Sequence, residues 1–332
     1  MGTSRCEAGG RGRCRQMILS ALLAMVPSAA LAGPCVQWRA PEKLGTLDTA
    51  LISEASGIVA SRAHPGRLYH NNDSGDGPYF YLTGAQGGGT QRVAVTGFVP
   101  RDVEDIALGP CAGAPICLYL GDIGDNARER ATVQFVAIGE LAQFPDEVAP
   151  LRVVEARYPD RAHDAESFAI HPNGDLYLIT KEGSYQANTG GPAKIFRLAA
   201  AQLAAPAGEI QTFTQVGTID LPALIPGGFR AQAATAMDIS ADGSRTLILT
   251  YLSLLEWQQD LSHTIPDELK PGRNYSLTRL PALTQAEAVA YLAEGDGVAY
   301  STELRAPATE APLHQQMCAR REIAEGHPGE RG

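Results

Sequence analysis

The chain has 332 residues, of which 44% are hydrophobic and 19% are charged, so it can bury a sizeable core and is not globally disordered. Its 35 glycines and 22 prolines favour a turn-rich fold over a helical bundle. A formal net charge of −10 argues against nucleic acid as a partner, and no apolar run after the first forty residues is long enough to span a membrane.

The amino terminus has the order of a secretory signal peptide. Three arginines between positions 11 and 15 precede an apolar stretch, 17–26, and small residues follow up to Ala32. This order of basic, apolar and small residues predicts that residues 1–32 are a signal peptide and that the mature protein is secreted, in the periplasm. Met17 is an alternative start, and a buried N-terminal helix is the alternative interpretation of the segment.

Export would leave four cysteines in an oxidising compartment, where three pairings are open to them. Cys111 and Cys117 enclose a turn-forming Ala-Gly-Ala-Pro segment that can bring them together, which leaves Cys35 to pair with Cys318. The sequence therefore predicts two disulfides, one local and one between the chain ends. Four free thiols are the alternative.

Five segments repeat one pattern: a polar or acidic residue, a spacer, Ser, Thr or Glu, a second spacer, and then an apolar strand. A turn and a second apolar strand follow each segment, with room for two more strands before the next. Four antiparallel strands per repeat are typical of a β-propeller blade. The pattern predicts an all-β, five-bladed β-propeller over residues 33–318; a six-bladed ring and a β-sandwich are the alternatives. The third position of the pattern recurs at Ser56, Glu104, Glu166, Thr235 and Glu287.

The fifth repeat lacks an outer strand, because only one short apolar segment, 313–318, follows its second strand. The segment 35–47 at the other end of the chain can supply the missing strand. This closure would place Cys35 and Cys318 on neighbouring strands of one blade. We expect a monomer with a polar, disordered tail over residues 319–332.

The innermost strand of each blade lines the channel of a propeller, so the five recurring residues would form a ring at the channel mouth. Three carboxylates in a narrow channel repel one another unless they are protonated or neutralised by a cation. Oxygen ligands suit Ca²⁺, and the absence of His and Cys from these five positions argues against zinc. The sequence thus predicts a calcium site formed by Ser56, Glu104, Glu166, Thr235 and Glu287.

Loops after the second strands add charge to the same face. Glu54, Asp102 and Asp164 also stand there, two residues before their ring partners. The alternative is that the Asp-Gly and Asn-Asp pairs of these loops only make turns. The candidates for a general base are Asp73, Asp122 and Asp125, and the candidates for contact with an anionic substrate are Lys181 and Arg128.

The motifs EASGIVAS, NNDSGD, LYLGDIGDN and DAESFAIHPNGDLYLITK resemble those of uncharacterised secreted bacterial propeller proteins. Separately, the order Ser, Glu, Glu, Thr, Glu at the blade starts is similar to that of the calcium-activated nucleotidase (apyrase) family, with Thr235 where that family has Ser. The family resemblance implies a five-bladed propeller, a central Ca²⁺ on the five ring residues, and Asp73 near the substrate.

Taken together, these features predict a secreted, calcium-binding hydrolase that acts on a small anionic substrate, a phosphate or another ester, at the channel mouth. In this hypothesis Ca²⁺ neutralises the substrate and an aspartate activates water. The first alternative is a non-catalytic module with a structural calcium that binds a protein or glycan partner. The second is a sugar-lactone hydrolase, whose metal site normally mixes Asn and Asp with Glu.

Overall fold

The computed structural model describes residues 34–258, 261, 274–281, 283 and 285–319, and the structural statements below refer to these residues. The predicted signal peptide, and all of the predicted tail except Ala319, lie outside them. The described chain is almost entirely β-structure. Five sheets are built around four antiparallel strands each, so each sheet is one blade of a propeller.

The first strand, β1 (Glu42–Thr46), joins the last blade, and the others follow in chain order. Blade 1 contains β2 (Ala55–Ala60), β3 (Arg67–Asn72), β4 (Tyr79–Gly84) and β5 (Gln91–Val95). Blade 2 contains β6 (Val103–Cys111), β7 (Ala114–Asp122), β8 (Val133–Gly139) and, after the short β9 (Glu147–Val148), β10 (Arg152–Arg157).

Blade 3 contains β11 (Ala165–Ile170) and β12 (Leu176–Thr180), then a small hairpin of β13 (Gly183–Ser184) and β14 (Thr189–Gly190), then β15 (Ala193–Leu198). Helix α1 (Ala200–Leu203) and the short β16 (Gln211–Thr212) precede its outer strand, β17 (Thr214–Ile219). Two short helices lead to blade 4, namely α2 (Leu221–Leu224) and α3 (Phe229–Gln232).

Blade 4 contains β18 (Ala234–Ile239), β19 (Thr246–Thr250), β20 (Ser253–Trp257) and β21 (Tyr275–Arg279). Blade 5 contains β22 (Ala286–Tyr291), β23 (Gly297–Thr302) and β24 (Pro312–Met317), and β1 completes it. In the described part of the chain, no helix has the length and hydropathy needed to cross a membrane.

The blades form a closed ring. The innermost strands β2, β6, β11, β18 and β22 each lie against the next, and β22 returns to β2. Five separate apolar cores fill the spaces between neighbouring blades, including the space between blade 5 and blade 1. The predicted five-bladed β-propeller is therefore confirmed.

Each innermost strand carries an irregularity at the same place. In all five blades, the pairing register with the second strand skips one residue near the start of the innermost strand. A bulge of this kind leaves one residue out of the ladder and redirects its side chain. The skipped residues are the five predicted ring positions, Ser56, Glu104, Glu166, Thr235 and Glu287.

The two ends of the described chain meet in blade 5, as the sequence predicts. Strand β1 pairs antiparallel with β24, with Glu42 opposite Gln315. A disulfide joins Cys35 to Cys318 with a Cα–Cα distance of 5.6 Å. A second disulfide links Cys111 to Cys117 across the β6–β7 turn, with a Cα–Cα distance of 5.7 Å. Both predicted pairings are present, and two disulfides indicate an oxidising, extracytoplasmic environment.

The sequence pattern did not predict the contacts between outer strands of neighbouring blades. Strand β9 follows blade 2's third strand along the chain but pairs in parallel with β5 of blade 1. Strand β16 likewise lies between two strands of blade 3 but pairs in parallel with β10 of blade 2. Strands β9 and β16 contain two residues each, which is too few to show the alternation of apolar and polar residues that predicts a strand. These two crossings tie blade 1 to blade 2 and blade 2 to blade 3 at the outer rim.

The two disulfides should differ in their effect on stability because they close loops of very different length. Their sequence separations of 283 and 6 residues correspond, on the chain-entropy model, to about 5–6 and about 2 kcal/mol. We expect Cys35→Ser/Cys318→Ser to lower the free energy of unfolding in urea more than Cys111→Ser/Cys117→Ser does. Equal losses in the two double variants would contradict this prediction.

Candidate metal and active site

The channel mouth gathers the five ring residues, and all five are buried. The hydroxyl of Ser56 donates a hydrogen bond to Glu104 Oε2 at 3.2 Å. The hydroxyl of Thr235 donates instead to the backbone carbonyl of Ala286, at 2.9 Å, and so connects blade 4 to blade 5. These two hydroxyls therefore have different roles, although they occupy the same position of the repeat.

A lysine already supplies positive charge to the ring. Lys181, which follows β12, donates through its Nζ atom to Glu166 Oε1. Both side chains are buried, with 9% and 6% of their surface exposed. The ammonium also offsets part of the electrostatic rise in the pKa of Glu104 and of Glu287. Lys181 was predicted as a contact for an anionic substrate, and the structure gives it a carboxylate partner within the ring.

Glu287 is the ring carboxylate of blade 5. The side-chain amide of Gln285 donates to its Oε1 atom at 2.8 Å. Burial, followed by a hydrogen bond and charge repulsion from Glu303, raises the pKa of Glu287 well above its usual range. A shared proton between Glu287 and Glu303 would relieve that repulsion, because two adjacent carboxylates rarely ionise together.

Ligand atoms suited to a metal converge at a different point, between blades 1 and 2. One carboxylate oxygen each from Asp73, Asp102 and Glu104 lie within 4.8 Å of one another. Asp73 comes from the loop after β3, whereas Asp102 immediately precedes β6 and Glu104 lies near the start of that strand. We call these three residues the acidic cluster. Among the five predicted ring ligands, Glu104 belongs to it, and Ser56 contacts it through Glu104.

The acidic cluster is electrostatically strained. Burial, together with repulsion from Asp73 and Asp164, raises the pKa of Asp102 to about 6. Burial and the neighbouring Asp73 and Asp102 raise the pKa of Glu104 well above its usual range. Burial is also the main reason why the pKa of Asp73 is raised. These shifts are those expected of crowded, buried carboxylates whose repulsion is offset only in part by the charges of Arg130 and Lys181.

A glycine makes room for the acidic cluster. A Cβ atom at Gly124 would collide with the carboxylates of Asp102 and Glu104. The backbone N–H groups of Ile123 and Gly124 both donate to the carbonyl of Asp102 at 3.1 Å. The GDIGDN loop after β7 therefore packs directly against the cluster, and the small size of Gly124 permits this approach.

The other aspartates predicted as bases are used to order that loop. Asp122 is fully buried, accepts from the backbone N–H of Asp102 at 2.9 Å, and pairs with Arg130 at 2.9 Å. Asp125 is also buried and accepts from the backbone N–H groups of Glu129 and Arg130 at 3.0 and 2.8 Å. Neither arrangement directs a carboxylate towards solvent, so Asp73, which is half-buried, is the better placed of the three.

Arg128, the second predicted anion contact, lies beside this loop with a positive φ of 56°. Its guanidinium donates to the backbone carbonyl of Lys181 at 3.3 Å and lies 3.8 Å from a carboxylate oxygen of Glu182. About a third of its side chain, 34%, is exposed. Arg128 is thus a cation at the edge of the channel mouth, held towards blade 3.

Sequence reasoning placed Asp102 on this face but did not assign it as a ligand. The available signal was its position two residues before Glu104, which matches Glu54 before Ser56 and Asp164 before Glu166. Glu303 was also missed. Glu303 directly follows β23, and Lys181 directly follows β12, so the two residues occupy equivalent positions of their blades. The backbone N–H of Glu303 donates to the carbonyl of Gln285, and the backbone N–H of Lys181 donates to the carbonyl of Asp164.

No protein-family profile matches the chain, and no curated protein matches it. Solved structures with a similar fold include a Thermus thermophilus protein described as an oxidoreductase (glucose dehydrogenase). It is 13% identical with a TM-score of 0.48, and the alignment covers 85% of this chain and all of that one.

Two further structures are more distant. The GH74 xyloglucanase of Xanthomonas campestris is 12% identical with a TM-score of 0.41, and the match covers 84% of this chain and 38% of that one. The Pan2 WD40 domain of Neurospora crassa is 6% identical with a TM-score of 0.34, with coverages of 80% and 63%. These neighbours are β-propeller-like proteins, and at such low similarity they indicate no activity for this chain.

The buried pair of Lys181 and Glu166 gives a direct test of the charge balance at the channel mouth. Lys181→Met should lower the free energy of unfolding by about 3–5 kcal/mol, because it leaves a buried carboxylate without its partner. Lys181→Met/Glu166→Gln should recover most of that loss. Urea unfolding of the three proteins measures both effects.

Lys43→Met is the matched control, because Lys43 pairs with Glu310 at 2.7 Å on the exposed surface. We expect this variant to unfold at nearly the same urea concentration as the unaltered protein, since exposed ion pairs contribute little. A Lys181→Met protein as stable as the Lys43→Met protein would contradict the proposed charge balance.

Proposed function

We propose that the protein is a calcium-dependent hydrolase that acts on a small anionic ester, such as a phosphate ester, at the channel mouth. The observation that carries this proposal is the acidic cluster, in which three carboxylate oxygens lie within 4.8 Å of one another. The signal-like amino terminus and the two disulfides further support a secreted, periplasmic protein, and we expect it to act as a monomer.

The chemistry of the cluster favours a hard divalent cation. All three side chains offer oxygen, and the hydroxyl of Ser56 lies next to Glu104. Ca²⁺ accepts six to eight oxygen ligands in irregular arrangements, so water and substrate oxygens would complete its shell. A bound cation would also lower the raised pKa values of Asp102 and Glu104, because it replaces repulsion by attraction.

This ligand set differs from the ring predicted by sequence. Glu166 is paired with Lys181, Glu287 is bonded to Gln285, and Thr235 donates to a backbone carbonyl. The proposed cation therefore lies off the channel axis, between blades 1 and 2. There it would neutralise the anionic group of a substrate.

The protein side chains can position the reacting water. Asp73, like Asp102, is half-buried, and its loop lies open to solvent at Ser74 and Gly75. We propose that Asp73 both contacts the cation and orients or deprotonates the attacking water, which combines the two roles predicted separately for this face.

The alternative function is a non-catalytic binding module with a structural calcium. One observation favours it: Asp73 belongs to blade 1, whereas Asp102 and Glu104 belong to blade 2. A cation there would join neighbouring blades, which is useful whether or not the site is catalytic. The two functions are distinguished by turnover, because both require the metal.

Calcium should raise the melting temperature of the protein, because a ligand at one hundred times its Kd stabilises the native state by about 2.7 kcal/mol. Asp102→Asn and Glu104→Gln should each remove most of that response, since each deletes a proposed ligand charge. Differential scanning calorimetry with excess Ca²⁺ or excess chelator makes the measurement.

Two variants control the calcium experiment. Glu209→Gln, at an exposed position outside the cluster, should respond to calcium like the unaltered protein. Glu287→Gln distinguishes the acidic cluster from a metal site on all five ring residues. The calcium-dependent shift in melting temperature should persist in this variant if the metal lies in the acidic cluster, and it should be lost if Glu287 is a ligand. An identical melting curve in Ca²⁺ and in chelator would contradict calcium binding by the native protein.

Purified protein should release phosphate from small phosphate esters or from nucleoside di- or triphosphates only when Ca²⁺ is present. Moderate salt should increase the rate, because it screens the long-range repulsion between an anionic substrate and a protein of net charge −10. Asp73→Asn should abolish turnover and weaken the calcium response together. Loss of turnover with an intact calcium response would make Asp73 a base and not a ligand.

The activity measurement requires a panel of phosphate, sulfate and carboxylate esters, each with calcium or with chelator. Arg157→Ala, at an exposed strand end on blade 2, is a suitable control variant and should retain full turnover. Absence of calcium-dependent turnover on every ester would leave the binding-module alternative.

A further inference from the structure

A group of three aromatic side chains stands beside the channel mouth on blades 3 and 4, and we call it the aromatic wall: Tyr185, Phe229 and Tyr251. The ring of Tyr185 meets that of Phe229 edge to face, with centroids 5.8 Å apart at 89°. Phe229 in turn lies 6.5 Å from Tyr251. Phe229 and Tyr251 are buried, whereas Tyr185 is 68% exposed, the only aromatic among the exposed large hydrophobic residues of the described chain.

The aromatic wall begins inside the channel mouth. Lys181 Nζ, which pairs with Glu166, lies 5.6 Å from the ring centroid of Tyr251 and 6.0 Å from that of Phe229. Burial and the nearby Glu287 carboxylate raise the pKa of Tyr251. The wall therefore runs from the charged ring at Tyr251 outwards to solvent at Tyr185.

The same lysine connects the wall to the acidic cluster. Lys181 is close enough to oppose, by its charge, part of the rise in the pKa of Asp73 and of Glu104. The guanidinium carbon of Arg230 lies 5.2 Å from the ring centroid of Tyr251. Two cations thus flank the aromatic wall in a channel mouth that otherwise carries mainly carboxylates.

The wall is held in place by hydrogen bonds between the β13–β14 hairpin and α3. Asn188, at the hairpin turn with a positive φ of 52°, accepts from the backbone N–H of Phe229 at 3.2 Å. The backbone N–H of Gly190 donates to the side chain of Gln232 at 3.0 Å. Gln232 also donates to the carbonyls of Ile225 and Gly227 at 2.9 Å. An exposed aromatic on such a braced hairpin loses little freedom when a ligand binds.

We propose that the aromatic wall recognises a planar, aromatic or heteroaromatic ring in the substrate, with Tyr185 as the main contact. The anionic group of the same substrate then lies towards Lys181, Arg230 and the acidic cluster. This inference rests on the proposed function and specifies its substrate class as an anionic ester that carries a flat ring. Aromatic pairs gain from ring geometry beyond the area they bury, which a saturated ring cannot reproduce.

The test compares benzyl phosphate with cyclohexylmethyl phosphate, which has similar size and a leaving alcohol of similar acidity, and with methyl phosphate, which has no ring. Isothermal titration calorimetry in the presence of Ca²⁺ should show benzyl phosphate binding about three- to tenfold more tightly than cyclohexylmethyl phosphate, the range expected for one aromatic contact. Tyr185→Ala should remove this preference, and Tyr185→Phe should keep it.

Ile210→Ala is the matched control, because Ile210 is 48% exposed and lies outside the wall. It should keep the preference for benzyl phosphate. Equal affinities for the two ring-bearing esters, or a preference that survives in Tyr185→Ala, would overturn the inference even if calcium-dependent turnover is present. Conversely, if benzyl phosphate binds in a Tyr185-dependent way but no ester of the panel is turned over, the hydrolase proposal is wrong and the aromatic wall remains a binding site.

Discussion

Burial of charge at the channel mouth is the constraint on which the rest of the site depends. Five innermost strands converge there, and each places one skipped residue of its bulge at the mouth. Three of those residues are glutamates, and Asp73, Asp102 and Glu303 bring further carboxylates to them. Since a buried carboxylate without a partner is costly, each one needs a cation, a proton or a hydrogen-bond donor.

The structure meets that need differently around the ring. Blade 3 uses Lys181 as an internal cation, and blade 5 brings Glu287 and Glu303 close enough to raise the pKa of Glu287. Blade 4 replaces the carboxylate by Thr235, which satisfies itself on the backbone. In the acidic cluster between blades 1 and 2, Ser56 donates to Glu104, but among the described residues no lysine or arginine forms an ion pair with the cluster, and Lys181 is paired with Glu166. The asymmetry directs an external cation to that side.

Much of the architecture could be predicted from the sequence because it is periodic. The recurring motif identified the five innermost strands, and the missing strand of the last repeat pointed to the segment that contains β1. The pairing of Cys35 with Cys318 then followed from the same closure. The two-residue strands β9 and β16 could not be predicted, because their partners lie on other blades and depend on tertiary packing.

The candidate site was less predictable than the fold. A repeat gives equivalent positions, but it does not say which neighbours each side chain will choose. Lys181 belongs to one blade only, and its choice of Glu166 distinguishes that carboxylate from Glu104. Asp102 is a candidate ligand because a carboxylate oxygen of its side chain lies within 4.8 Å of those of Asp73 and Glu104. Such choices depend on distances of a few ångströms, which spacing along a chain does not encode.

The pairing of β1 with β24 has a consequence for how the molecule can form. The last blade remains incomplete until residues separated by almost the whole domain, such as Glu42 and Gln315, find each other. Contacts of such long sequence separation form slowly, since a long loop must close first. During synthesis the early blades can assemble one by one, but the ring has a free edge until the final strand emerges. Closure of the ring is thus a late step in folding, and the disulfide between Cys35 and Cys318 then joins the two ends covalently.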